Sequence, residues 1–178
     1  MRYSWKSCCQ AIRRLALAPL LALLTAPAAL AAEHQPIWPP LLEVDHVLVQ
    51  TSLYTRHFNP QPDHNNTQEL ISLELHNSQR WLVGGARFLN SFDQEAIYLY
   101  AGREFPFWQP SDNVTVRAKL TAGLLHGYRG EYQDNIPFNR YGTAPAALPS
   151  LGVQWGRFET DLIVFGTAGA MIIGGIRF

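Results

Sequence analysis

Beyond Cys9 the chain contains no cysteine. Cys8 and Cys9 both fall in the first 32 residues, so the remainder holds no disulfide, thiolate nucleophile or cysteine-ligated metal. Charge is also scarce: charged residues make up 16% of the 178, against roughly 25% in soluble domains. Neither sign prevails, since 14 Lys and Arg balance 14 Asp and Glu. That balance excludes nucleic-acid binding driven by phosphate neutralisation. No run of 18 apolar residues lies beyond residue 32, so that part of the chain is not a helical membrane protein. The histidines His57, His64 and His126 lack the helix or hairpin spacing of a metal site, and neither metal nor cofactor is expected.

Aromatics, glycine and alternation are plentiful. Aromatics reach 12%, with 13 Gly and 12 Pro. Low charge with many aromatics and glycines fits an all-β chain that faces lipid. The first 32 residues read differently. Arg2, Lys6, Arg13 and Arg14 precede a Leu/Ala run, and Ala29-Leu30-Ala31 fits a small-x-small cleavage site. Residues 1–32 are expected to be a signal peptide. Residues 33–43 are expected to form a short N-terminal arm, because Pro36, Pro39 and Pro40 forbid a regular helix there. Residues 44–178 are then left for one barrel.

The clearest strand begins at Val114. Val114, Val116, Ala118, Leu120, Ala122 and Leu124 alternate with Thr115, Arg117, Lys119, Thr121 and Gly123. A period of two over about ten residues is a β-strand with one apolar face. The same reading places strands at 44–57, 67–76, 81–89, 96–105, 114–125, 151–155, 159–165 and 170–178. Turn-rich connections separate them, among them Asn59 to Asn66, 106–113 and 126–148. Eight strands with alternately long and short connections predict an eight-stranded antiparallel transmembrane β-barrel of the bacterial outer membrane. Eight strands leave a lumen that side chains nearly fill, or that holds one slender ligand. Strict alternation along the first strand puts His57 on the outer face with Val49 and Leu53.

The chemistry-bearing residues gather at one rim. Connections 58–66, 90–95, 126–148 and 166–169 share an end of such a barrel. They bring His57, His64, Asn90, Ser91, Asp93, His126, Tyr128, Arg129, Glu131 and Arg140 to it. A histidine near a serine suits acyl transfer: the imidazole removes a proton from a hydroxyl, and a carboxylate or amide orients the ring. Any of His57, His64 and His126 could be that base on chemistry alone. His126, Tyr128 and Arg129 are expected to bind substrate at the rim.

Several runs resemble the lipid A palmitoyltransferase family of outer-membrane enzymes. Thr55-Arg56-His57-Phe58 resembles the family's His-bearing end of the first strand. Phe88-Leu89-Asn90-Ser91-Phe92 is similar to its Phe-x-Asp-Ser-Trp run, with Asn90 where the family has Asp. Thr121-Ala122-Gly123, the stretch from Pro145 to Val153, and the terminal Arg177-Phe178 also fit. The resemblance implies an eight-stranded barrel that takes a palmitoyl chain from a phospholipid donor and passes it to a hydroxyl of lipid A. It implies His57, Ser91 and Asn90 as the catalytic positions, and a hydrocarbon pocket in the upper barrel. The terminal Phe178 resembles the signal that the barrel-assembly machinery reads. The family's amphipathic N-terminal helix is missing, since prolines occupy that arm. The HNN, NSF and HGYRGEY pattern is also similar to chains described as glycerol-3-phosphate transporters. A non-enzymatic barrel, for solute transport or structure, is therefore the alternative.

Overall fold

A computed structural model describes residues 43–60 and 64–178. The expected signal peptide, and residues 33–42 of the expected arm, lie outside the described residues. Eight strands form a closed antiparallel barrel in sequence order. They are β1 (His46–His57), β2 (Ile71–His76), β3 (Trp81–Leu89), β4 (Glu95–Ser111), β5 (Val114–His126), β6 (Thr143–Trp155), β7 (Phe158–Val164) and β8 (Gly169–Arg177). A 3-10 helix, Gly130–Asn135, sits in the β5–β6 connection. No helix among the described residues is long and apolar enough to cross a membrane. Closure runs along β1 and β8, from Leu48↔Arg177 to His57↔Gly169. Phe178 extends the seam, exchanging backbone bonds with Val47 at 2.9 and 3.1 Å.

Burial is inverted relative to a soluble protein. Leu53, Ile71, Leu99, Leu124 and Leu151 are more than half exposed on the outer wall, whereas Arg117, Lys119, Glu74, Glu159 and Asp161 are at most 4% exposed inside. Water would penalise that wall by about 25 cal/mol for each Å² of apolar surface; a hydrocarbon surrounding removes the penalty. Phe105, Trp108, Trp155 and Phe158 are exposed toward the end that carries the β4–β5 and β6–β7 turns, where an aromatic girdle of a membrane barrel belongs. The alternation of β5 holds as expected, with Arg117, Lys119 and Thr121 buried and Leu120 and Leu124 exposed.

The lumen has two zones. Toward the rim with the longer loops, Leu70, Ala86, Tyr98, Met171 and Ile173 form an apolar cluster, joined by Phe88, Leu125 and Phe165. Toward the other rim lies an ionic cluster. Lys119 Nζ lies 3.0 Å from Glu74 and 3.5 Å from Asp161. Arg117 reaches Glu104 at 2.9 Å and Asp161 at 2.5 Å, and also contacts Glu159, which Arg177 meets from the other side. Gly152 makes room, because a Cβ there would collide with Asp161 and Arg117. Tyr100 marks the boundary: its ring stacks on Tyr98 at 4.6 Å and its hydroxyl donates to Glu74 at 2.9 Å.

Three strand bounds differ from expectation by four residues or more. β4 was expected to end at Phe105, yet it continues to Ser111 through Pro106 and Pro110, with register shifts flanking Trp108. Its ladder with β3 stops at Trp81↔Arg103, so Pro106 takes no ladder bond from a neighbour on that side. β2 begins at Ile71 rather than residue 67. β6 begins at Thr143 rather than near Leu151, and includes Pro145 and Pro149. Its pairing with β7 covers only Ser150↔Ile163 to Trp155↔Phe158, so residues 143–149 hang on β5 alone. The prolines remove donors there, and lumen hydroxyls supply partners for the acceptors. Tyr98 donates to Ala146 O and Thr121 to Leu148 O, both at 3.3 Å. Backbone left unpaired in lipid costs several kcal/mol per group, so this opening is compensated rather than accidental. A second opening flanks the upper part of β1, whose register with β2 stops at Thr51↔Ile71.

Candidate active site at the loop rim

The site starts with a fault in β1. The β1–β8 register shifts between Ser52 and Tyr54, and Leu53 and Tyr54 both face outward, at 62% and 58% exposure. One extra residue reverses the alternation beyond it. Thr55 and His57 therefore turn into the lumen, His57 being 9% exposed. This corrects the expectation that His57 lies on the outer wall. Uninterrupted parity would have put it there; the bulge re-aims it.

Two loops meet His57. In the 90–94 turn, Asn90 Oδ1 accepts from Phe92 N at 2.9 Å and from Gln94 N at 3.1 Å. Asp93 closes the turn at φ 58°, a left-handed conformation that aspartate tolerates. The turn holds Ser91 toward the lumen. The residues after the first loop are clipped onto it, with Asn65 N donating to Ser91 O at 2.8 Å. Asn65 Oδ1 also accepts from Thr67 N at 2.6 Å, which fixes the bend that presents Asn66.

The result is a line of three side chains. His57 Nδ1 lies 2.9 Å from Asn66 Oδ1, and His57 Nε2 lies 2.7 Å from Ser91 Oγ. The amide oxygen can only accept, so it selects the tautomer with hydrogen on Nδ1. Nε2 is then free to accept the serine proton, as a general base must. A fourth group completes the set: the Tyr128 hydroxyl bonds to Ser91. Burial pushes the Tyr128 phenol up, more than the Ser91 contacts pull it down, so it stays protonated. His64 packs beside the pair, its ring 4.4 Å from that of His57. Phe92 meets His64 edge-on at 5.5 Å and stacks on Tyr132 at 3.9 Å, covering one side of the site with aromatic surface.

Of the expected site residues, His57, Ser91 and Tyr128 come together. Among the three candidate histidines, the serine contact falls to His57. His126 and Arg129 form a second cluster: His126 Nδ1 contacts Thr143 Oγ1 at 2.8 Å, and Arg129 donates to His126 Nε2 at 2.6 Å. With Gln94, Glu95 and Ile97 they line a groove of about 390 Å³, which opens beside the outward-facing Ile97. Asn90 bonds neither His57 nor Ser91 by its side chain. Its amide shapes the turn and reaches Gly127 O at 3.4 Å. Sequence reasoning overlooked Asn66, whose signal was only an Asn in the HNN run of a turn-forming loop.

These contacts set an expectation for Asn90→Asp. The carboxylate has no hydrogen to give Gly127 O and would set a charged oxygen against that carbonyl in a site 1% exposed. A buried acceptor left facing an acceptor costs about 1–3 kcal/mol. Asn90→Asp should therefore speed amide exchange across 90–94 and lower activity, although Asp is what the resembling family carries. Raised activity would show that a carboxylate at this position takes part in the chemistry.

By its architecture the chain is a small barrel of the outer-membrane type, with a serine, an imidazole and an amide aligned at its loop rim. No protein-family model matches it, and no curated protein does. Among solved structures it is similar to Ail, the attachment invasion locus protein of Yersinia pestis, in complex with the heparin analogue sucrose octasulfate. The identity is 16% and the TM-score 0.37, over 75% of this chain and 96% of that one. The assignment to the outer-membrane type rests on the inverted burial of the chain itself.

Proposed function

We propose that this protein is a bacterial outer-membrane acyltransferase that moves a palmitoyl-type chain from a phospholipid to a hydroxyl of lipid A. One observation carries the reading: His57 Nε2 stands 2.7 Å from Ser91 Oγ while Asn66 holds Nδ1. His57 takes the Ser91 proton as Oγ attacks the phospholipid ester carbonyl. The Tyr128 hydroxyl, in contact with Ser91, is the group at hand to donate to the resulting oxyanion. Collapse breaks the bond to the glycerol oxygen, which leaves with the proton from Nε2 as lysophospholipid. The lipid A hydroxyl then gives its proton to Nε2 and attacks the acyl-serine. Ser91 Oγ departs and recovers that proton.

Three further features support the reading. The upper lumen is lined by apolar side chains, a surface suited to a hydrocarbon chain, with the stacked Tyr98 and Tyr100 as its floor. The gaps beside β1 and β6 give lipids a lateral way in from the membrane. Arg129 and His126 supply cationic and hydrogen-bonding groups for a lipid phosphate at the rim. Solute transport, by contrast, would have to pass the ionic cluster around Arg117. Overproduction in a strain whose lipid A carries a free acceptor hydroxyl should add one palmitoyl unit to lipid A, read by mass spectrometry. Unchanged lipid A in that strain would refute the proposal and favour a non-enzymatic barrel.

A further inference from the structure

Tyr128 reaches Ser91 from a strap of backbone that begins where β5 ends. Its two neighbours in the chain, Gly127 and Arg129, are both tied to the turn that carries Ser91. Gln94 makes the shorter tie. Its Oε1 accepts from Arg129 N at 3.0 Å, and its Nε2 donates to Arg129 O at 3.3 Å. One side-chain amide therefore meets both backbone groups of one residue, as an antiparallel strand neighbour would. Asn90 makes the longer tie, donating from Nδ2 to Gly127 O at 3.4 Å. Gly127 lets the strap come this close to β4. Its φ is 138°, and a Cβ there would lie 2.5 Å from Ala96 Cα. Asn139, later in the same loop, donates from Nδ2 to Tyr128 O at 3.0 Å. The backbone of Tyr128 is held on both flanks and at its own carbonyl, while its hydroxyl contacts Ser91.

We infer that Gln94 is a positioning residue for acyl transfer, acting through Tyr128; this rests on the acyltransferase reading above. A donor stabilises a developing oxyanion to the extent that it is already in place, and a misplacement of about 1 Å can cost roughly 100-fold. Without Gln94 the strap keeps only the 3.4 Å bond from Asn90 to the turn of Ser91. Gln94 also borders the groove that Arg129 lines. The Arg129 guanidinium, however, is anchored separately, by its donation to His126 Nε2 at 2.6 Å. Loss of Gln94 should therefore fall on the chemical step rather than on the binding of lipid.

The test is a double-mutant cycle on the purified protein in mixed micelles of phospholipid, lipid A and detergent, read as palmitoyl transferred per unit time. Gln94→Met keeps the length of the side chain and removes both bonds to Arg129. It should lower kcat by roughly tenfold or more, shift KM for the phospholipid by less than about threefold, and keep heat-modifiability. Hydrogen exchange at the Arg129 amide should quicken in the same variant. Tyr128→Phe should lower kcat by roughly 100- to 1,000-fold, the worth of one oxyanion donor. Added to Tyr128→Phe, Gln94→Met should cost less than about threefold more, because the group it places is gone. Gln94→Glu keeps an acceptor for Arg129 N and should lie between Gln94→Met and the wild type. Fully additive losses would show Gln94 acting by a contact of its own and would overturn the inference. So would a wild-type kcat in both Gln94 variants. No transfer by the wild type would refute the acyltransferase reading itself, and the inference with it.

Discussion

Replacing His57 by alanine should slow acyl transfer by roughly 100- to 10,000-fold, the worth of a positioned general base. The barrel itself should assemble as before. Among the described residues, the His57 side chain bonds to Asn66 and Ser91, and its backbone pairing with Gly169 survives the change. Ser91→Ala should be at least as severe, since it removes the attacking oxygen. Asn66→Ala should be milder, because the ring loses its orientation but keeps its nitrogen. All three should retain heat-modifiability and outer-membrane abundance, while palmitoylated lipid A disappears or falls. His64→Ala and His126→Ala should leave more activity than His57→Ala. Full activity in His57→Ala with loss in either of the others would move the base elsewhere and leave the barrel assignment untouched.

Arg117→Met should be the most destabilising substitution in the barrel wall. It removes the cation shared by Glu104, Glu159 and Asp161, in a lumen where Arg117 is 1% exposed. Breaking a buried ion pair from one side typically costs about 3–5 kcal/mol, because the abandoned charge stays buried. The midpoint of guanidinium unfolding in detergent micelles should fall accordingly, with little change in slope. Neutralising the partners separates charge from shape. Arg117→Met combined with Glu159→Gln and Asp161→Asn should recover part of the loss, since fewer carboxylates are then left buried without a cation. If the triple variant is as unstable as the single one, packing rather than charge holds this zone. Either way the upper site is spared, because Tyr98 and Tyr100 stand between it and the cluster.

The chain by itself determined the wall. Alternation needs only the period of two and the sign of each face, and both are local. For that reason β3 is found at 81–89 as read, β5 differs by a residue at one end, and β7 and β8 by a residue at each end. The connections expected at 106–113 and 126–148 hold strand residues instead. Pro106, Pro145 and Pro149 lie within strands because a neighbouring strand stops short, and sequence does not record where a neighbour ends. The site was half legible. His57 and Ser91 could be named because their side chains are those that acyl transfer would use, and Tyr128, expected to bind substrate, meets them at the rim. Asn90 was named for a role that its turn-shaping hydrogen bonds do not support, while Asn66 went unnoticed. The direction of His57 was decided by one additional residue in the wall at Leu53 and Tyr54. A bulge is a mismatch between two strands far apart in the chain. It therefore exists only once β1 has closed against β8, and with it the meeting of His57, Asn66 and Ser91.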